Sequence, residues 1–380
     1  MTGAVTVDGD LVLEERVAKG RITIEDGLIV GVQLREASEP PEPTTGGSFI
    51  APGYVDVHVH GGGGHDAMAG RGALDGMARH LLRHGVTSFL PTAVTAPLPT
   101  LDRFGSDVRA WMTMAPADGA DPLGFNLEGP FLSPSRRGAH DSSHLRLPAD
   151  VPLGDLEPLL HGLRLTTIAP ELPGARELIA WLRERGVATS MGHSAASLDE
   201  ARAGFAAGGI STTHLFNAMS GVDHHAPGLA VAALGDDSAY VELIADGEHV
   251  HPSLWPIITR TKPADRLMLV SDAISLAGIG DGRTRIGGLE VEVVGLRVTL
   301  AGTTTLAGSV IGLDTAVRNL VSSGVSLPLA VAAASRNPLA MLAMTDRGRI
   351  DTGQRADLVE LDDQLRVRRV MRAGTWFSVA

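Results

Sequence analysis

The sequence predicts an α/β chain: a (β/α)8 TIM barrel with a small β-sandwich formed from both chain ends. Two observations predict it. Apolar or β-branched runs recur near 54–60, 86–91, 123–128, 163–169, 187–193, 210–214, 240–245 and 267–272, with helical stretches between several of them. Eight such units is the count of a closed parallel barrel. The two chain ends read differently, as short strands joined by turns.

The elements follow in order. Residues 1–50 carry the strand-like runs Ala4–Val7, Leu11–Leu13, Arg21–Ile24 and Leu28–Val32. Asp8-Gly9 and Asp26-Gly27 between them are hairpin signals, and the proline-rich stretch 39–43 then breaks the pattern. In the middle of the chain, helices are expected at Leu74–His84, Arg176–Arg185, Leu198–Ala207 and Leu254–Lys262. A glycine-rich, hairpin-like insert spans Gly278–Gly308, and a helix at Leu313–Ser322 is expected to close the barrel. The last stretch, from Gly348 to Arg372, is again strand and turn. Neither end is long enough for a stable sheet alone, so the two are expected to combine. The predicted boundaries are 1–51 and 344–380 for the two parts of the sandwich, with the barrel domain, 52–343, inserted between them.

Composition narrows the function. The chain has 380 residues, 44% hydrophobic and 20% charged, which suits a globular protein with a sizeable core. A formal net charge of −12 argues against nucleic acid as a partner. There are no cysteines, so disulfides, thiolate metal sites and cysteine nucleophiles are excluded. The N-terminus lacks a basic leader with an apolar core, and no uncharged run has the length of a membrane span. A cytoplasmic location without membrane attachment is expected.

The chemistry lies in the histidines and acids at the ends of the strand-like runs. His58 and His60 are two apart on a strand, so their imidazoles project from one face, and Gly61–Gly64 let the chain turn away behind them. Such a pair is what a catalytic metal takes from one element. Glu128, His193, His214 and Asp272 each end another run. A lone histidine in such a place is usually a satisfied loop residue, and a lone aspartate an N-cap. Their repetition at one end of successive strands marks the catalytic face of a parallel barrel. His80 and His84 are spaced i,i+4, but they lack the glutamate of a zincin motif and read as solvated or packing residues.

At this point the residues resemble a known family. The stretches Pro52–Gly61, Asn126–Phe131, Arg136–His140, Met191–Ser194, Thr213–Met219, Ala245–Val250, Val270–Ala273 and Leu306–Ser309 resemble, in order, the N-acetylglucosamine-6-phosphate deacetylases of the amidohydrolase superfamily. The resemblance implies hydrolysis of the acetamide of N-acetyl-D-glucosamine 6-phosphate to D-glucosamine 6-phosphate and acetate. It implies a main metal site at Glu128, His193 and His214 and a second at His58 and His60. One or two divalent ions per chain are expected, zinc first, with iron, cobalt and manganese as chemical alternatives. Asp272 matches the catalytic aspartate, which takes a proton from the attacking water and returns it to the amine. His140 matches a histidine near the acetyl group that stabilises the oxyanion.

The same resemblance implies ligand contacts at Asn217 and Ala218, a phosphate contact at His249, and lining by Ala139, Leu306 and Ala307. His225 falls where the family usually carries an arginine that reaches the phosphate of the neighbouring subunit. A histidine lacks the guanidinium fork, so phosphate is expected to be held differently, with His224, Arg136 or Arg137 compensating. A homodimer is implied only through that shared site. Two other readings remain open at this stage: a deacetylase or cyclic amidase for a different, unphosphorylated substrate, and a non-catalytic protein that binds metal or sugar phosphate.

Overall fold

The computed structural model describes residues 4–35 and 48–379. The proline-rich break at 39–43 lies outside the described residues.

The predicted runs form a parallel sheet whose neighbours follow sequence order: Tyr54–Val59, Val86–Val94, Phe125–Glu128, Leu163–Ile168, Ala188–Met191, Ser211–Thr212, Tyr240–Leu243 and Leu267–Leu269. Asp121–Pro122 adds a short pairing to the second of these. Nearly every residue in these strands is buried. That explains their continuous apolar character, because a parallel sheet is covered on both faces. One apolar cluster joins Val57, Leu90, Leu165, Ile244, Met268 and Val270. It brings together strands that are not neighbours in the sheet, as only the inside of a closed sheet allows. A buried polar chain also crosses the sheet: Thr213 Oγ1 lies 2.9 Å from Thr167 Oγ1 and donates to Ser190 Oγ at 2.8 Å.

Closure occurs at the C-terminal ends of the first and last strands. The Asp272 N–H donates to the His58 carbonyl, and the His60 N–H to the Ala273 carbonyl, both at 2.9 Å. The bonds that shut the barrel thus align residues expected to do the chemistry. The helix Leu313–Ser322 is where the sequence predicts it. The seam is packed further by Leu327–Ala334 and Arg336–Met341, which contact both the first and last strands.

The chain ends meet in a seven-stranded sheet. Strands Val5–Val12, Val17–Glu25, Leu28–Leu34 and Phe49–Pro52 come from one end, and Leu358–Leu361, Val367–Arg372 and Thr375–Ser378 from the other. Val7, Leu11, Ile22, Ile24, Ile29, Ile50, Leu358 and Met371 share its core. The insert is a three-stranded antiparallel sheet, Gly282–Ile286, Leu289–Val294 and Arg297–Leu300. Its apolar face, Ile286, Val291, Val293 and Val298, packs on Val94, Ile274 and Ala307 and so roofs one side of the barrel mouth.

Candidate active site

The strand-end residues converge. His58 and His60 leave the first strand with their Nε2 atoms 3.3 Å apart. Glu128, at the end of the third strand, stands between them and the remaining histidines. Its Oε1 lies 3.0 Å from Nε2 of both His193 and His214 and 3.5 Å from Nε2 of His58, and its Oε2 lies 3.2 Å from His60 Nε2. Asp272 Oδ1 approaches His60 Nε2 at 3.2 Å and His58 Nε2 at 3.7 Å. All six side chains are almost fully buried. The backbone turns sharply at three of them, with φ of +45° at His193, +30° at His214 and +49° at Asp272. Non-glycine residues adopt that region at a cost, and such strain gathers at functional sites.

The far nitrogens of the rings are tied down. His58 Nδ1 donates to Glu242 Oε2 at 3.1 Å, His60 Nδ1 to the Thr92 carbonyl at 3.1 Å, and His193 Nδ1 to the Arg136 carbonyl at 2.9 Å. His214 Nδ1 has no partner among the described residues. With the proton on Nδ1, each of these three rings turns an Nε2 lone pair inward. His58 Nε2 then faces His60 Nε2, and His193 Nε2 faces His214 Nε2 at 3.1 Å. Lone pairs packed this closely beside two carboxylates require positive charge among them. The donor set fits a divalent cation held by imidazole and carboxylate.

The ionisation of the cluster carries the same signature. Burial pushes the Glu128 carboxyl up, but the His58 and His140 rings outweigh it and hold it well below the usual carboxylate range. Burial likewise pushes Asp272 up, and His60 and His58 bring it down to about 2. Burial depresses His60, yet Asp272 and Glu128 raise it to about 9. The carboxylates are therefore anionic and draw positive charge onto the neighbouring rings.

His140 differs from the other rings. Its Nδ1 accepts the Thr95 backbone N–H at 3.3 Å, so a neutral ring carries its proton on Nε2. Burial above all keeps it neutral, with a pKa of about 4. Nε2 lies 3.3 Å from Glu128 Oε2. Geometry alone groups His140 with Glu128 and His193 as donors near enough to share an ion. The Thr95 bond argues against that, because it leaves Nε2 a hydrogen-bond donor facing the site.

A cavity of about 330 Å³ opens over the cluster. His60, Glu128, His193, His214, Asp272 and His140 line it, as do the predicted contact residues Ala139, Asn217, Ala218, His249, Leu306 and Ala307. His249 is held by Asp246 through Nδ1 at 2.7 Å; burial lowers its pKa, and Asp246 more than offsets this. His225 lies outside the cavity, on an exposed turn whose backbone N–H groups at 225 and 226 donate to Asp223. Sequence reasoning did not single out Glu242, Thr95, Ser135 or Ile286, and raised Arg136 only as a substitute for the family arginine. Arg136, Ser135 and Ile286 all line the cavity. Glu242 had one signal available: it is a carboxylate inside an apolar run.

The amidohydrolase family model matches residues 49–377, a span holding every residue of this cluster. The chain belongs to the amidohydrolase family. Among its amidohydrolase relatives are the N-acetylglucosamine-6-phosphate deacetylase of Bos taurus, 38% identical over 96% of this chain and 92% of that one, and the N-acetylgalactosamine-6-phosphate deacetylase of Escherichia coli O157:H7, 37% identical over 94% and 93%. The N-acetyl-D-glucosamine-6-phosphate deacetylase of Mycobacterium smegmatis, solved as a variant in complex with N-acetyl-D-glucosamine-6-phosphate, superposes with a TM-score of 0.90 at 35% identity, covering 98% of this chain and 99% of that one. Family membership and the donor set together support a divalent metal centre in this amidohydrolase. None of the helices among its described residues is long and apolar enough to cross a membrane.

Proposed function

We propose that this chain hydrolyses the acetamide of N-acetyl-D-glucosamine 6-phosphate, giving D-glucosamine 6-phosphate and acetate. One observation carries the reading. An ionised aspartate, Asp272, and a neutral histidine donor, His140, both line the cavity that opens over a cluster of metal-ligand chemistry. Amide hydrolysis needs a base for water, a donor for the oxyanion and an acid for the leaving amine.

Glu128, His193 and His214 would hold one divalent ion, with His58 and His60 providing a second position that Glu128 also reaches. When bound, the cation polarises the amide carbonyl and makes water more acidic. Zinc suits the donor set, and iron, cobalt and manganese suit it nearly as well. Asp272 takes the proton from water as the oxygen attacks the carbonyl carbon. His140 donates its Nε2–H to the oxygen that gains charge. Asp272 then hands its proton to the amine nitrogen as the C–N bond breaks, so one carboxylate serves as base and then acid. Ile286 of the insert sheet and the Thr305–Gly308 segment line the cavity wall that would face the sugar.

A bound phosphate needs cations on the cavity wall. Within one chain, Arg136 and His249 are the cationic candidates on the cavity wall. His225 does not reach its own cavity, so a phosphate role for it requires a second copy of the chain, which is how a homodimer enters this reading. The relative from E. coli also keeps the galacto epimer open as a competing substrate. Acetate release from the 6-phosphates of N-acetylglucosamine and N-acetylgalactosamine, and from unphosphorylated N-acetylglucosamine, tests all of this. Activity on the gluco 6-phosphate should be highest, be lost with a chelator and return with added zinc. Chelator-resistant turnover, or equal turnover of the free sugar, overturns the reading.

A further inference from the structure

Glu242 is the fully buried carboxylate of strand Tyr240–Leu243, flanked by Val241 and Leu243 in the apolar core. Burying a carboxylate there is costly unless its oxygens are matched. Both of its side-chain contacts fall on one oxygen, and Oε1 has no partner among the described residues. Oε2 accepts from His58 Nδ1 at 3.1 Å and from the backbone N–H of His214 at 3.2 Å. Its own carbonyl accepts the Leu215 N–H at 2.8 Å. The residue therefore grips the ring of one metal-site histidine and the backbone of another.

The grip falls where it is needed. The turn after His214 runs through three non-glycine residues in the left-handed region: His214 at +30°, Phe216 at +76° and Ala218 at +48°. Such a turn persists only when its surroundings hold it. His60 and His193 are oriented by neutral carbonyls, and among the described residues His58 alone of the four rings is oriented by a carboxylate. A carboxylate is a pure acceptor, so this bond places the His58 proton on Nδ1 and leaves the Nε2 lone pair facing His60 Nε2 and Glu128 Oε1. It also makes the ring a stronger donor toward a cation.

We infer that Glu242 is a positioning residue that sets the His58 tautomer and ties it to the His214 turn, so that both halves of the metal centre assemble as one unit. The inference rests on the reading that these histidines hold a divalent ion. The two are tested separately, with zinc as the probe. Ring ¹⁵N NMR of the zinc-loaded wild-type protein should show one histidine, absent from the His58→Asn variant, protonated at Nδ1 and metal-bound at Nε2. Competition with a chromogenic chelator should show Glu242→Gln binding zinc 10- to 100-fold more weakly in at least one of two affinity classes, while its melting temperature in EDTA stays near wild type. If the wild-type protein binds no zinc, the metal reading itself fails. If it binds zinc with His58 Nδ1 unprotonated, the metal reading stands and the role of Glu242 is refuted. A folded Glu242→Gln protein with wild-type zinc affinities refutes it too. Should that variant not fold, the wild-type NMR result decides.

Discussion

The backbone N–H of Thr95 donates to Nδ1 of His140 at 3.3 Å, which leaves the imidazole proton on Nε2, facing Glu128 and the cavity. A ring held this way offers a hydrogen bond where oxyanion charge would develop, and it has no lone pair free there for a metal. Thr95 also donates its hydroxyl to the Glu128 backbone carbonyl at 3.2 Å, so the residue just after the second strand braces both the donor and the residue that carries the central carboxylate.

His140→Asn should therefore lower kcat by about 10²- to 10³-fold, the usual cost of losing an oxyanion donor. Metal content should stay at the wild-type value, read by elemental analysis after dialysis. Loss of an ion in this variant would make His140 a ligand and the Thr95 bond incidental.

Asp272→Asn keeps the shape of the side chain and removes its basicity. Turnover should fall by at least about 10²-fold, while the ion on Glu128, His193 and His214 is retained. Single-turnover acetate release with a metal assay on the same sample checks both statements. Near-normal turnover would remove Asp272 from the mechanism.

Much of this site was legible in the sequence because a parallel barrel displays its chemistry at strand ends, and buried strands are continuous apolar runs. His60, Glu128, His193, His214 and Asp272 each stand where such a run stops, and His58 shares the face of His60 two residues earlier. Glu242 was not legible: it lies inside the run 240–245, and its partner His58 is 184 residues away. Thr95 holds His140 through its backbone N–H, which no residue type advertises. The helix Leu327–Ala334 is apolar almost throughout, so it has no amphipathic period to betray it, although it packs across the barrel seam.

Lys262 is almost completely buried, and its Nζ donates to the carbonyls of Ala233, at 3.0 Å, and Asp236, at 2.5 Å. These carbonyls lie at the C-terminal end of the helix Leu229–Gly235, where a cation is favoured. Lys262→Met should destabilise the protein by about 1.5–3 kcal/mol, the range for bonds to a charged donor, with kcat unchanged. Urea unfolding gives the first quantity. A variant as stable as wild type would mean that the helix end is satisfied by water.

The ring of His80 is enclosed by glycines: a Cβ on Gly62 or Gly278 would come within 2.5 or 2.6 Å of it. Burial first, then the charges of His84 and Arg83, lower its pKa to about 4. The unfolded value is about 6.5, so below that pH the unfolded chain binds a proton that the folded one refuses. The His80 contribution is full above pH 6.5 and is lost as pH falls toward 4. Relative to His80→Gln, wild type should lose about 2 kcal/mol between pH 7.5 and 5. Parallel stability curves for the two proteins would show that the ring takes up its proton within the fold.

His225 stands on an exposed turn outside its own cavity, so it can meet a bound phosphate only across a contact with another copy of the chain. An arginine there would add a guanidinium fork and a permanent charge. If the 221–226 turn reaches a partner's site, His225→Arg should lower KM for the 6-phosphate several-fold. It should leave the free sugar unaffected and change kcat little. Sedimentation of the same sample should show a dimer at assay concentration. Equal improvement on both sugars would point to loop order in place of charge recognition. No change on either, in a protein that sediments as a monomer, would assign the phosphate to Arg136 and His249 within one chain.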